Sequence, residues 1–191
     1  MVIDYELLEQ CQRGKPRACN QLYELLFSYL MNICIRYNSN NDEASAALNA
    51  IFLKIITNLK QYDRQKHFLP WVKAIAMNHL ANEYKVKKEL QNNLLFTDEL
   101  KKFEDEVQDF NILAKLQAKD LVRMIQKLPT SCNRIFNLYV IDGYNHQEIA
   151  DMLGINEGTS KSQLYYARIK LQKMIEEEQN SIKLIRCDKA G

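Results

Sequence analysis

Apolar residues recur at helical spacing through the first half of the chain. One apolar stripe, at i, i+4, i+7, i+11 and i+15, consists of Leu22, Leu26, Tyr29, Ile33 and Tyr37. A second stripe, also at helical spacing, consists of Leu48, Ile51, Phe52, Ile55 and Leu59. A polar turn at 38–41 separates them, and Asp42 is predicted to cap the second helix. A third helix is predicted from near Phe68 to beyond Tyr84, with His79 packed at its apolar edge. The pattern predicts a helical bundle over residues 1–90.

The helical pattern resumes near residue 118. Leu121, Ile125 and Leu128 share one helix face, and Pro129 ends that helix. A further helix is predicted to carry Ile135, Leu138 and Tyr139 and to end at Gly143 in a left-handed cap.

The next segment has the signals of two helices joined by a tight turn. Asn145 and Glu148 form a capping-box pair that starts a helix at 146–153, which Gly154 ends. Asn156 is placed to cap a longer helix over 157–174, whose apolar positions are Leu164, Ala167 and Leu171. With the small Ala150 where the helices cross, this spacing predicts a helix-turn-helix.

In a DNA-binding helix-turn-helix the second helix enters the major groove, where side chains meet base edges and phosphates. The residues expected at or beside the bases are Lys161, Ser162, Gln163 and Tyr166, and those expected at phosphates are Arg168 and Lys170. The alternative is an ordinary helical hairpin whose basic face only aids solubility.

Composition favours an all-α protein with two small helical domains. The 191 residues include only 5 Gly and 3 Pro, the residues that punctuate β-rich folds. Weak periodicity and acidic character mark 91–117 as a linker, so the expected domains are 1–90 and 118–178, with a tail at 179–191.

Targeting and metal signals are missing from the sequence. The longest apolar stretch, at 25–35, is too short to cross a membrane, and the acidic N-terminus does not resemble a secretory signal, so we expect a cytoplasmic protein. The 5 cysteines form no CxxC pair, and only 3 histidines are available. We therefore expect reduced thiols, no metal and no cofactor.

Charge is divided unevenly along the chain. Residues 60–88 carry seven basic and two acidic side chains, a balance of +5, whereas residues 98–109 carry two basic and six acidic ones, a balance of −4. Residues 158–175 carry four basic side chains and no acidic one. Two basic segments thus flank an acidic connector. A single run of this kind is equally typical of a solvated helix face, and two such runs are harder to explain in that way.

Three motifs resemble those of the extracytoplasmic-function (ECF) sigma factors of bacterial RNA polymerase. Residues 148–164 read EIADMLGINEGTSKSQL, following Leu128-Pro129 and preceding Ala167-Arg168, as in the fourth domain of that family. Residues 51–54 (IFLK) and 71–78 (WVKAIAMN) are similar to motifs of its second domain. The resemblance extends over nearly all of residues 1–176.

The resemblance implies a promoter-specificity subunit that binds core RNA polymerase and promoter DNA. The second domain of such a protein docks on the polymerase and melts the −10 element, and the fourth reads the −35 element. It implies a monomer in the free state, and the family commonly has an anti-sigma partner, which no residue here encodes.

The resemblance also implies roles for individual residues. Those matching the pocket for a flipped −10 base are Tyr62, Ile75 and Asn78, joined in melting by Arg64 and Lys66 of the loop at 61–67. Trp71 is either a melting wedge or, in our preferred interpretation, a core side chain.

Two departures from the family pattern bear on its partners. The docking helix has Ala46 and Ala50 where the family usually has acids. Docking on polymerase would therefore either depend on Asp42, Glu43, Asn49 and Lys54 or differ from that of the family. In the second helix, Ser160 replaces the usual valine, and Gln163 and Tyr166 replace frequent arginines. Gln favours adenine and Arg favours guanine, so the promoter is expected to differ from those of relatives that carry arginine at these positions.

The main alternative is a stand-alone helix-turn-helix regulator whose N-terminal helices sense a signal or dimerise. Such a dimer would read two half-sites about one helical turn apart. A helical scaffold that binds only protein would leave the basic second helix unexplained. The sequence has none of the common hydrolase, metalloprotease or nucleotide-binding motifs, so we do not expect an enzyme.

Overall fold

The computed structural model describes residues 3–92 and 118–187, and these are almost entirely helical. The chain divides into two compact units, Met1–Leu95 and Phe96–Gly191, called here the N-terminal and C-terminal units. The all-α prediction is confirmed. The linker predicted at 91–117 lies outside the described residues except for its first two positions, which end a helix.

The N-terminal unit contains four α-helices, namely α1 (Tyr5–Gln12), α2 (Pro16–Tyr37), α3 (Asn41–Asn58) and α4 (Phe68–Asn92), with a 3-10 turn at Leu59–Gln61. Helix α1 has no counterpart in the sequence prediction. Helix α2 begins at Pro16, because a first-turn residue needs no backbone N–H partner. The side chain of Asn40 caps α3 by accepting a hydrogen bond from the Glu43 amide at 2.8 Å.

The cap predicted at Asp42 is therefore wrong. Asn40 has the extended backbone that a cap residue requires, whereas Asp42 already lies in the first helical turn. A carboxylate there still stabilises the helix through its dipole.

The core of the N-terminal unit is built from the two predicted apolar stripes. Its fully buried side chains include Leu22, Leu26, Leu48, Ile51, Ile55 and Leu59. Tyr29 and Phe52 lie at the border of that core and remain partly exposed. His79 is buried as expected, with Nε2 3.6 Å from the Glu83 carboxylate.

The C-terminal unit contains α5 (Ala118–Gln126), α6 (Thr130–Phe136), a π-helical turn at Asn137–Ile141, α7 (His146–Leu153) and α8 (Glu157–Cys187). The helix predicted across Leu138 thus changes from α to π geometry, and Gly143 follows with a φ of +82°. Helix α8 runs past its predicted end at Met174 into the predicted tail. The sequence there has no glycine or proline before Gly191 to stop it.

The predicted helix-turn-helix is present in α7 and α8. Asn145 and Glu148 form both hydrogen bonds of the capping box, at 2.9 and 2.8 Å. Gly154 ends α7 in the left-handed conformation, with φ +64° and ψ +45°. Ala150 is buried beside it, where a larger side chain would hold the two helices apart.

Within the described ranges, no helix combines the length and the apolar character that a membrane span needs. The same residues contain no group of three or more histidine, cysteine, aspartate or glutamate side chains that could hold a metal ion.

Candidate nucleic-acid interface

The start of α8 is fixed against α7 by a small polar cluster. Asn156 accepts a hydrogen bond from the Thr159 amide at 2.6 Å, which caps α8 as predicted. Ser160 is fully buried, and its hydroxyl lies 2.9 Å from Nδ1 of His146. The His146 ring stacks on Tyr139 with centroids 4.4 Å apart. A hydroxyl at this buried position needs a partner, and His146 supplies one.

His146 is held mainly in its neutral form. Burial lowers the pKa of its imidazole, and the positive charge of Lys161 lowers it further. The negative charge of Glu157 raises the pKa, and Arg168 adds a weaker lowering effect. The same positive charges lie on the helix that is expected to meet DNA.

Lys161 is well exposed at the start of α8. Its ammonium lies 2.7 Å from the Glu157 carboxylate one turn earlier, and the pKa of Glu157 is lowered first by that hydrogen bond and then by the lysine charge. Exposed pairs of this kind are weak, so a phosphate can compete for the lysine.

Gln163 faces the protein interior at its polar end. Its amide oxygen accepts hydrogen bonds from the Ser131 hydroxyl at 3.0 Å and the Cys132 thiol at 2.9 Å. The hydroxyl of Ser162 likewise donates to the Thr159 carbonyl oxygen at 3.1 Å. These placements do not favour Gln163 and Ser162 as base readers. Helical spacing is consistent with this inward orientation of Gln163, because the residue lies three positions after Ser160 and four before Ala167, and both of these are buried.

Tyr166 and Lys170 lie about one turn apart on the predicted reading face of α8. Tyr166 is 45% exposed, and the Lys170 ammonium lies 5.2 Å from the centre of its ring. Arg168 is partly buried on the side of α8 that influences His146.

The N-terminal unit has a pocket of about 340 Å³ between the end of α3, the 3-10 turn and α4. The residues that line it are Lys54, Asn58, Gln61, Trp71, Ile75 and Asn78. The structure thus brings together Ile75 and Asn78, two of the three residues predicted for the −10 pocket, with Trp71. It adds Asn58 and Gln61, which were not predicted to line the pocket. It also places Lys54 in the pocket, whereas the sequence argument assigned that lysine to polymerase docking.

Tyr62 lies beneath this pocket rather than along it. Its side chain is buried, its hydroxyl donates to the Lys66 carbonyl oxygen, and its ring packs 5.1 Å from both Phe68 and Trp71. Burial raises the pKa of the Tyr62 hydroxyl, with smaller effects of Tyr5 and Asp63. Trp71 is half-buried, so it both packs on Tyr62 and lines the pocket.

The loop at 61–67 is exposed but ordered by local hydrogen bonds. Asp63 accepts from the Gln65 amide through its side chain and from the Lys66 amide through its carbonyl, each at 3.0 Å. The Arg64 guanidinium is not isolated, because Nη2 lies 2.8 Å from the Glu9 carboxylate of α1.

The residues predicted for polymerase docking are spread along α3. Asp42 and Glu43 are exposed in its first turn, where Glu43 also accepts from the Ser39 amide at 3.3 Å. Asn49 accepts from the Tyr23 hydroxyl at 2.9 Å. Leu53, on the same helix, is 64% exposed, and it was not among the residues predicted for docking.

The fold defines an all-α protein with a helix-turn-helix in its C-terminal unit and an amide-lined pocket in its N-terminal unit. Residues 118–171 match the family model Sigma-70, region 4. The chain is 23% identical over 176 residues to the ECF RNA polymerase sigma factor SigW of Bacillus subtilis, covering 88% of this chain and 94% of that protein. It is 26% identical over 174 residues to the ECF RNA polymerase sigma-E factor of Escherichia coli, covering 86% and 90%.

Among solved structures, the chain is similar to the sigma factor RpoE of Bartonella quintana in complex with the anti-sigma factor NepR. That match has 18% identity and a TM-score of 0.49, and covers 82% of this chain and 96% of that one. The region 4 match and the near full-length relatives support an ECF sigma factor that acts in transcription initiation.

Proposed function

We propose that this sigma factor binds core RNA polymerase, reads a −35 element with α8 and captures a −10 base in the pocket of the N-terminal unit while the strands separate. The observation that supports the proposal is the occurrence of a helix-turn-helix in one compact unit and of a pocket lined by amides, an indole and an ammonium group in the other. A single-site regulator has no use for the second one.

The pocket suits an unstacked base. Trp71 and Ile75 supply an aromatic and an apolar wall, and the amides of Asn58, Gln61 and Asn78 offer both donors and acceptors to a base edge. The ammonium of Lys54 adds a positive charge for the adjoining phosphate. Tyr62 contributes by supporting Trp71 from below.

The reading face of α8 is proposed to consist of Lys161 and Tyr166 near the bases, with Arg168 and Lys170 at phosphates. Tyr166 presents an exposed ring that can contact a thymine methyl group, and Lys170 remains beside it. Gln163 is left out because its amide oxygen is bonded to α6.

Docking on core polymerase is proposed for the exposed face of α3. Ala46, Asn49 and Leu53 lie on this face, with the carboxylates of Asp42 and Glu43 at its N-terminal end. The surface is more apolar than the family pattern, so its affinity for polymerase should depend less on salt. The family resemblance extends the proposal to an anti-sigma partner that holds the free protein.

We further propose that the protein has no catalytic activity of its own, acts in the cytoplasm where bacterial RNA polymerase works, and is monomeric when free. A dimeric regulator would instead bind a palindrome without polymerase.

The deciding experiment is run-off transcription with core polymerase on fragments of the source genome. Specific transcripts that require this protein are expected. Tight binding to a palindrome by a stable dimer, with no effect on polymerase, would reject the proposal.

Asn78→Ala tests the base pocket within the same assay. The variant should slow strand opening far more than it weakens the closed complex, because the base is available only after melting. Asn20→Ala, an exposed asparagine on α2, is the matched control. If Asn78→Ala impaired closed-complex formation as much as strand opening, Asn78 would not act in base capture.

A further inference from the structure

Three side chains of α1 contact the segment that leads into the pocket and the melting loop. Gln12 donates from Nε2 to the Leu59 carbonyl oxygen at 2.8 Å, and the Tyr5 hydroxyl donates to the Arg64 carbonyl oxygen at 3.2 Å. Glu9 accepts from Nη2 of Arg64 at 2.8 Å. Positions 5, 9 and 12 share one face of a helix, so α1 presents these groups together.

These contacts hold the segment at both ends. Leu59 begins the 3-10 turn that follows α3, and its carbonyl oxygen accepts from the Tyr62 amide at 3.3 Å as well as from Gln12. Arg64, at the far end, is held through both its backbone and its side chain. Gln61, which lines the pocket, lies between the two anchors.

We propose that Tyr5, Glu9 and Gln12 are positioning residues for promoter opening. They do not contact DNA; they keep the segment 59–64 in the conformation that the single strand meets. An ordered loop avoids losing conformational freedom when it binds, so opening proceeds faster. This inference rests on the proposed role of the pocket and loop in melting.

Charge alone predicts the opposite effect for Glu9. Removing a carboxylate near a DNA site should strengthen binding, because one source of repulsion disappears. If Glu9 acts by positioning Arg64, removing it should slow opening instead. The sign of the effect therefore separates the two explanations.

The test uses holoenzyme reconstituted with core polymerase and a promoter found by run-off transcription. Closed-complex affinity and the rate of opening are measured separately, the latter by permanganate reactivity of unpaired thymines. Glu9→Ala and Gln12→Ala should each slow opening by about 3- to 10-fold and change closed-complex affinity by less than about twofold. Glu9→Gln, which keeps an oxygen acceptor for Arg64, should recover part of the rate.

Glu6→Ala is the matched control. Glu6 carries the same charge on the same helix, and its carboxylate accepts a hydrogen bond from Gln10 within α1. This variant should open promoters at the wild-type rate or slightly faster. Fluorescence of Trp71, the single tryptophan, reports whether the N-terminal unit of each variant is folded.

Opening at the wild-type rate in both Glu9→Ala and Gln12→Ala would overturn the inference. A loss of closed-complex affinity as large as the loss of opening rate would also overturn the inference, because it would assign α1 to polymerase docking. A wild-type holoenzyme that binds the promoter but never opens it would instead reject the proposed function, and the positioning role would be rejected with it.

Discussion

The amide oxygen of Gln163 accepts hydrogen bonds from the Ser131 hydroxyl and the Cys132 thiol, so this side chain ties α8 to the start of α6. In the sequence it lies among basic and polar residues typical of a DNA-reading helix. In the folded protein its polar end is used internally. Helix position alone therefore does not identify a base reader.

Gln163→Ala should lower stability and leave promoter preference unchanged. Loss of two partly buried hydrogen bonds should cost the C-terminal unit roughly 0.5–1.5 kcal/mol. Amide hydrogen exchange of peptides from this unit measures the loss, since Trp71 reports only on the other unit. Gln172→Ala is the control, because Gln172 bonds to Glu176 within α8. A changed base preference in a promoter library would restore Gln163 as a reader.

Lys170→Ala should weaken binding to every promoter sequence by a similar factor. If the ammonium contacts one phosphate, the dependence of log affinity on log salt should fall by about 1. Lys170→Arg should keep most of the slope. Lys127→Ala, an exposed lysine outside α8, controls for net charge. An unchanged slope in Lys170→Ala would show that this lysine serves only to pack on Tyr166.

The neutral state of His146 should make the C-terminal unit sensitive to acid. The pKa of His146 lies below its ordinary 6.5 in the folded protein, so the unfolded chain binds the proton more tightly. The stability that this histidine contributes is complete above about pH 6.5 and is lost as pH falls through the lowered pKa.

The measurement is hydrogen exchange of the C-terminal unit at pH values between 7.5 and 5, corrected for intrinsic exchange rates. The difference in stability between wild type and His146→Gln should narrow as the pH falls. His67 and His79 are common to both proteins and cancel. A stability difference that does not change with pH would contradict a partly buried, neutral imidazole at position 146.

The Cys11 thiol should be almost inert in the folded protein. Burial, followed by the neighbouring Cys19, raises the pKa of Cys11 to about 12, and only 2% of the residue is exposed. Since the thiolate is the reactive form, alkylation at pH 8 should be slower than in denatured protein by at least about a hundredfold. Peptide mapping by mass spectrometry resolves Cys11 from the other cysteines. Equal rates in both states would mean that α1 detaches readily from α2.

The helix-turn-helix could be predicted because its signals are local. The Asn145–Glu148 capping box, the left-handed Gly154 and the Asn156 cap each depend on residues within four positions of one another. Backbone sterics and hydrogen bonds decide such features before any tertiary contact forms. The apolar stripes of α2 and α3 were equally readable, since their spacing directly reflects the helix period.

The full set of residues at each candidate site could be identified only from the folded structure. Ile75 and Asn78 could be assigned through motif spacing, yet Lys54, Asn58 and Gln61 join them only because α3, the 3-10 turn and α4 meet at one place. Helix α1 was not predicted, because eight residues give too few turns for a clear periodicity and, unlike the equally short α7, it has no capping box. Its contact with Arg64 joins residues 55 positions apart. Local sequence patterns were enough to predict most of the helices, the turn and the charge of each segment. Packing between helices sets which polar groups remain available to DNA, because those groups find partners distant along the chain.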